Sequence, residues 1–117
     1  MEKYEGPTDI FGIAIYSALT RKMEEDPEYR AFIENLNMNL IVELDYYPLM
    51  IKFEKDKFTI TRDIEDPTVI VKINTQDFLD IVDGKSSIIR KFLGRKMKFK
   101  KGITKLFKVY KIFSKMM

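Results

Sequence analysis

The chain contains no cysteine, no histidine and no tryptophan in 117 residues, and no acidic residue after Asp83. Without cysteine there are no disulfides and no thiolate metal ligands, and without histidine the usual zinc, iron and copper sites are not expected. The same two absences remove the commonest general base and the best protein nucleophile, so an enzyme is not expected, and no cofactor is called for. No apolar run approaches the ~20 residues that cross a bilayer. The start, Met1-Glu2-Lys3-Tyr4-Glu5, lacks the basic-then-apolar order of a signal peptide, and Ser114-Lys115-Met116-Met117 carries no peroxisomal ending. A soluble, cytoplasmic product is the expectation. There is no low-complexity linker and no internal repeat, and the length fits a single domain over 1–117. A hydrophobic content of 45% suffices for one modest core.

What the chain does have is a charge asymmetry. Residues 1–83 hold nine basic and eighteen acidic side chains, a net −9, whereas residues 84–117 hold twelve lysines and arginines and no acid. Such a division points to an anionic partner. The basic segment is not a solvated tail, because nearly every lysine in it is flanked by Phe, Met, Leu, Ile, Val or Tyr. A stretch both cationic and apolar can fold, and can then face something both anionic and greasy.

The apolar period divides the chain into elements. Residues 8–24 read as a helix, with Thr8 as cap, Asp9 at the positive end of the dipole, and Phe11, Ala14, Ile15, Ala18 and Leu19 on one face. Asp26 caps a second helix with Pro27 at its first position, and Tyr29, Phe32, Ile33 and Leu36 follow at helical spacing. From residue 39 the period becomes two. Leu40, Val42 and Leu44, then Leu49, Ile51 and Phe53, then Phe58 and Ile60, then Val69, Val71 and Ile73 alternate with mostly polar neighbours. Tight connections between these runs predict a four-stranded antiparallel meander with one wet face. Asn74 or Thr75 opens a third helix bearing Phe78 and Ile81, with Gly84 as its left-handed terminator. Ser86 or Ser87 opens a shorter helix through Ile88, Ile89, Phe92 and Leu93, stopped by Gly94. Residues 95–101 alternate again, with Met97 and Phe99 opposite Lys96, Lys98 and Lys100, and 103–116 form a last helix. The class is α+β.

The stretch from Asp66-Pro67-Thr68-Val69 through Ile73, then Thr75-Gln76-Asp77-Phe78 through Asp83-Gly84-Lys85, resembles the sterol carrier protein 2 (SCP-2) family. Phe92-Leu93-Gly94-Arg95-Lys96-Met97-Lys98-Phe99 is similar to that family's Gly-Lys strand, and Leu106-Phe107 to Phe113 to its terminal helix. Two departures stand out: Gly102 is followed by Ile103 rather than Asp, and the hairpin reads Lys55-Asp56-Lys57 rather than Asp-Gly. The resemblance implies an SCP-2-like, five-stranded, mainly antiparallel sheet covered by N-terminal and C-terminal helices. It also implies a non-catalytic lipid-binding domain with an apolar tunnel between the sheet and the C-terminal helices. The tunnel residues so expected are Val71, Ile73, Phe78, Ile81, Phe92, Leu93, Met97, Phe99, Leu106, Phe107, Tyr110 and Phe113. The partner is then a lipid or fatty acyl ligand, whether acyl, isoprenoid or sterol-like.

The last helix adds its own argument. Its apolar residues spread over roughly 220°, against the ~100° stripe of a one-sided core helix, so it must be covered on two sides. Lys108, Lys111 and Lys115 share a narrow arc and are the expected contacts with a transient anionic membrane surface. A neighbouring helix or a dimer partner would cover the second side equally well. An accessory or dimerisation module without lipid transfer therefore stands as an alternative, with monomer and dimer both open. A basic nucleic-acid-binding domain is disfavoured, because no recognition motif is present and Glu43, Asp45, Glu54 and Asp63 on the meander would repel phosphate. Asp77 and Asp80 lie one helical turn apart, and helix capping and dipole stabilisation account for them without catalysis.

Overall fold

A computed structural model describes residues 3–5, 10–55, 57–61 and 66–114. In chain order it holds β1 (Lys3–Glu5), α1 (Ile10–Glu25), α2 (Pro27–Glu34), β2 (Met38–Glu43), β3 (Pro48–Glu54), β4 (Lys57–Thr61) and β5 (Val69–Ile73). There follow α3 (Thr75–Val82), α4 (Ile88–Leu93), β6 (Met97–Lys101), a 3-10 turn (Ile103–Lys105) and α5 (Leu106–Phe113). The α+β class holds, and from α1 onward so does the expected order of elements; β1 is an addition to it.

Local chemistry sets the boundaries. The Asp26 carboxylate accepts from the backbone N–H groups of Glu28 and Tyr29, and Pro27 follows at the first helical position, so α2 begins where the sequence requires. Asn74 caps α3 through the Asp77 N–H, and Ser87 caps α4 through the Arg90 N–H. Gly84, with φ 77°, terminates α3, and the next two N–H groups donate to the Asp80 carbonyl. The expected cap of the first helix, Thr8 and Asp9, lies outside the described residues, as do Arg62, Asp63, Lys115, Met116 and Met117.

The strands order as β1-β4-β3-β2-β5-β6. This corrects the meander: β2, β3 and β4 are antiparallel neighbours, but β5 crosses back to lie parallel to β2. The Thr68 N–H donates to the Asn39 carbonyl and the Asn39 N–H to the Thr68 hydroxyl, which lace the start of β5 to the start of β2. β6 then adds antiparallel to β5, and the three-residue β1 adds a sixth strand parallel to β4 at the other edge. The sheet remains mostly antiparallel.

One face of the sheet is buried. Met38, Leu40 and Val42 on β2, Leu49, Ile51 and Phe53 on β3, and Val69, Val71 and Ile73 on β5 join Ile15, Leu19, Ile33, Phe78, Ile81, Val109, Ile112 and Phe113 in one core. The alternate residues of the same strands are half-buried or exposed. The helices therefore cover one side of the sheet only.

Candidate functional site: an apolar cleft beneath the C-terminal helices

Between α3, the loop that follows it, the start of α4 and the end of α5 lies a cleft of about 220 Å³. Its apolar wall is Ile81, Ile88, Tyr110 and Phe113, and its rim is Gly84, Ser86, Ser87 and Ser114. Ile81, Ile88 and Phe113 are otherwise buried, and Phe113 meets Phe78 edge-on at 5.2 Å, so the floor is continuous with the core. Tyr110 stands at the mouth, 36% exposed.

Each wall is pinned. The Tyr29 hydroxyl donates to the Ile112 carbonyl at 2.6 Å, and Lys22 donates to the Ser114 carbonyl, so α1 and α2 hold the end of α5. Burial pushes the Tyr29 phenol well above its ordinary pKa, and it remains a neutral donor throughout the physiological range. The opposite wall is clasped by Lys91 of α4, which reaches Asp77 at 2.8 Å and Asp80 at 3.1 Å on α3. Hydrogen bonds from Lys91, then Gln76, hold the Asp80 carboxyl below the usual aspartate range, and the bond to Asp77 first of all raises the Lys91 ammonium. The two aspartates one turn apart are thus jaws of an ion clasp. Among the described residues no group of three or more acidic side chains is placed to hold a metal ion.

The expected tunnel residues separate into three sets. Ile81, Tyr110 and Phe113 line the cleft. Val71, Ile73, Phe78 and Met97 are buried in the core, while Phe92, Phe99 and Leu106 pack partly buried against it, with the Phe92 and Phe99 rings 5.7 Å apart. Leu93 and Phe107 belong to neither, being 74% and 70% exposed. Their place in an enclosed lining is corrected to a place on the surface. On α5 the core takes the stripe of Val109, Ile112 and Phe113, and Phe107 lies outside that arc. Ile103 is exposed as well.

Lys108 and Lys111 are both exposed, and the Lys111 ammonium lies 4.8 Å from the centre of the Phe32 ring. Lys115 falls outside the described residues. Ile88 and the serine rim were not anticipated. Ile88 directly follows the helix-capping Ser87, a position whose side chain turns back over the preceding loop, and this was the available signal.

What this arrangement does chemically is bury apolar surface. Its polar groups are neutral hydroxyls and backbone at the rim. No helix among the described residues is long and apolar enough to cross a membrane.

Comparisons with known proteins place the fold. No curated protein sequence matches the chain. Among solved structures, sterol carrier protein 2 from Yarrowia lipolytica, in its apo form, superposes with a TM-score of 0.65 at 17% identity, covering 89% of this chain and 87% of that one. A protein described as UbiJ-SCP2 ubiquinone synthesis protein gives 0.71 at 13% identity, covering 89% and 93%. The sterol carrier protein domain 2 of Helicoverpa armigera gives 0.55 at 18% identity, covering 86% and 88%. Identities this low establish the fold alone, but the sequence model of the SCP-2 sterol transfer family also matches residues 17–114. The chain belongs to the SCP-2 sterol transfer family, a family of generally non-catalytic lipid-binding and lipid-transfer domains.

Proposed function

We propose that this domain holds a lipid non-covalently in the apolar space between α3, α4 and α5 and exchanges it with anionic membranes. The observation that carries the reading is the cleft walled by Ile81, Ile88, Tyr110 and Phe113, which opens to the surface and is floored by the core. Apolar burial at ~25 cal/mol per Å² supplies the driving force, and no bond needs to be made or broken. A volume of about 220 Å³ falls short of the ~300–1,000 Å³ typical of ligand pockets, so loading requires α4 and α5 to move apart from α3. The core residues Phe78 and Met97, and the partly buried Phe92, Phe99 and Leu106, are the ones a longer chain would then meet. Met97 suits such a role, since a flexible thioether re-packs readily.

The ligand class is acyl, isoprenoid or sterol-like. One structural neighbour is described as a ubiquinone synthesis protein, and an isoprenoid chain therefore belongs among the ligands to be tried. The cationic surface of α5, with Lys108 and Lys111 exposed, favours encounter with an anionic bilayer. The exposed Leu93 and Phe107 support a second reading, an accessory or dimerisation module of the same fold that acts through protein contact without lipid transfer.

The deciding experiment is native mass spectrometry of gently purified protein, together with thermal melts in the presence of fatty acids, isoprenoids and sterols. A bound lipid, or a melting temperature raised by one of these classes, is expected. A protein that is free of lipid and indifferent to all three would overturn the carrier reading and leave the interaction module.

A further inference from the structure

A second cavity, sharing no lining residue with the apolar cleft, opens at the end of β2 and β5 beside the start of β6, with a volume of about 220 Å³. Four of its lining residues are the cations Lys72, Arg95, Lys96 and Lys98, all exposed. Among the described residues none of these four side chains is engaged by a carboxylate. The two acids on the same rim are committed elsewhere. Glu43 accepts from Lys100 at 3.0 and 3.3 Å, and Asp45 accepts from the Thr75 N–H and hydroxyl.

Two local features set these cations around the cavity. Lys72 and Lys98 are directly opposed across the β5–β6 ladder, where like charges destabilise a sheet. Arg95 has φ 61°, a left-handed conformation that costs a side-chain-bearing residue energy, although Gly94 stands one position earlier with an ordinary φ of −80°. On its other side Lys72 faces Glu43 of β2, which is engaged by Lys100, and the Arg95 conformation closes α4 through the Arg95 N–H to the Phe92 carbonyl and the Lys96 N–H to the Lys91 carbonyl. The opposed Lys72 and Lys98, with Arg95 and Lys96 beside them around one cavity, fit a site whose cations are held ready for an absent anion.

We propose that this groove binds a phosphate group, either free phosphate or a phosphomonoester headgroup. The guanidinium of Arg95 offers a planar fork suited to phosphate oxygens, and three lysines add point charges around it. The cavity fits one such group. Counted with Glu43 and Asp45, the four cations leave the lining a net charge of +2, and Glu43 is further offset by Lys100.

The test compares inorganic phosphate with chloride at matched ionic strength, following melting temperature and backbone amide shifts of the full chain. Phosphate also stabilises proteins by exclusion from their surface, so the variants Lys72→Gln, Lys98→Gln and the double variant carry the comparison. In chloride, either single variant is expected to melt at or above the wild-type temperature, because the opposed charges are gone. The phosphate-specific rise should saturate in the wild type and fall by half or more in the double variant. Wild-type amide shifts should cluster at residues 43–45, 72–74 and 95–98. An equal rise in wild type and double variant, or shifts spread elsewhere, would overturn the site. Vesicles containing phosphatidic acid separate the sources. Displacement by inorganic phosphate identifies a headgroup in the groove, and simultaneous binding identifies free phosphate as its occupant.

Discussion

At Gly102, φ is 78°, and a methyl group added to its Cα would lie 2.4 Å from the Thr68 carbonyl oxygen and 3.1 Å from the Val69 Cα. Here β6 gives way to the turn into α5, close against the irregular start of β5, where the register shifts between Ile70 and Val71. The obstacle is backbone and cannot rotate away. Gly102→Ala is therefore expected to lose at least about 2 kcal/mol, the left-handed cost plus the displaced strand, measured by urea denaturation. Arg95 presents the opposite case. Arg95→Gly removes a left-handed penalty of ~1–2 kcal/mol while adding glycine's entropic cost of ~0.5–1 kcal/mol, for a net gain of up to about 1.5 kcal/mol. Denaturation in chloride measures it. A loss of stability in Arg95→Gly would show that the arginine side chain supports the native fold.

Among the elements, the α3–α4 clasp makes the sharpest claim. Asp80 has a folded pKa below its ordinary 3.8, so its contribution is fully present above that value and is lost as pH falls through the folded pKa. Lys91 is raised above 10.5, so its contribution is present below that value and is lost as pH rises through the folded pKa. Lys91→Met should thus lower the melting temperature across the neutral range and bring wild type and variant together at both acid and alkaline extremes. A constant difference at all pH values would mean that the ion clasp is not what the substitution removes. The strands and helices themselves were largely legible in the sequence, for a physical reason: burial on one side imposes a period of two or 3.6. Pairing was not legible. Val69, Val71 and Ile73 announce a buried face, but nothing in their period says that β5 must lie beside β2 rather than β4; the Thr68–Asn39 bonds that fix it join residues far apart in sequence. β1, with three residues, is too short to show any period. For the cleft, Ile81 and Phe113 were readable as inward-facing, whereas Leu93 and Phe107 were not readable as outward-facing. Both sit on apolar arcs, and only the position of the neighbouring helix decides which part of an arc is covered.

The whole molecule combines a helix-covered sheet, an apolar cleft and a C-terminal third with twelve cations and no acid, and exposed Leu93, Ile103 and Phe107 lie in that same third. If this surface meets an anionic bilayer, charge and apolar contact make separable contributions. Replacing Lys108, Lys111 and Lys115 with Gln should weaken binding to anionic vesicles by about 1 kcal/mol for each lysine that reaches the surface, with an effect that shrinks as salt is added. Leu93→Ser with Phe107→Ser should weaken the same binding with little salt dependence, since it removes apolar contact rather than charge. Neither set should change loading of a lipid from detergent, because neither touches the wall of Ile81, Ile88, Tyr110 and Phe113. Vesicle co-sedimentation and detergent loading, run on both variants, read the two steps independently. Loss of loading with vesicle binding intact in the Leu93/Phe107 variant would reverse the assignment. These two side chains would then turn inward around a bound lipid, and the opening of α4 and α5 would be larger than separation from α3 alone.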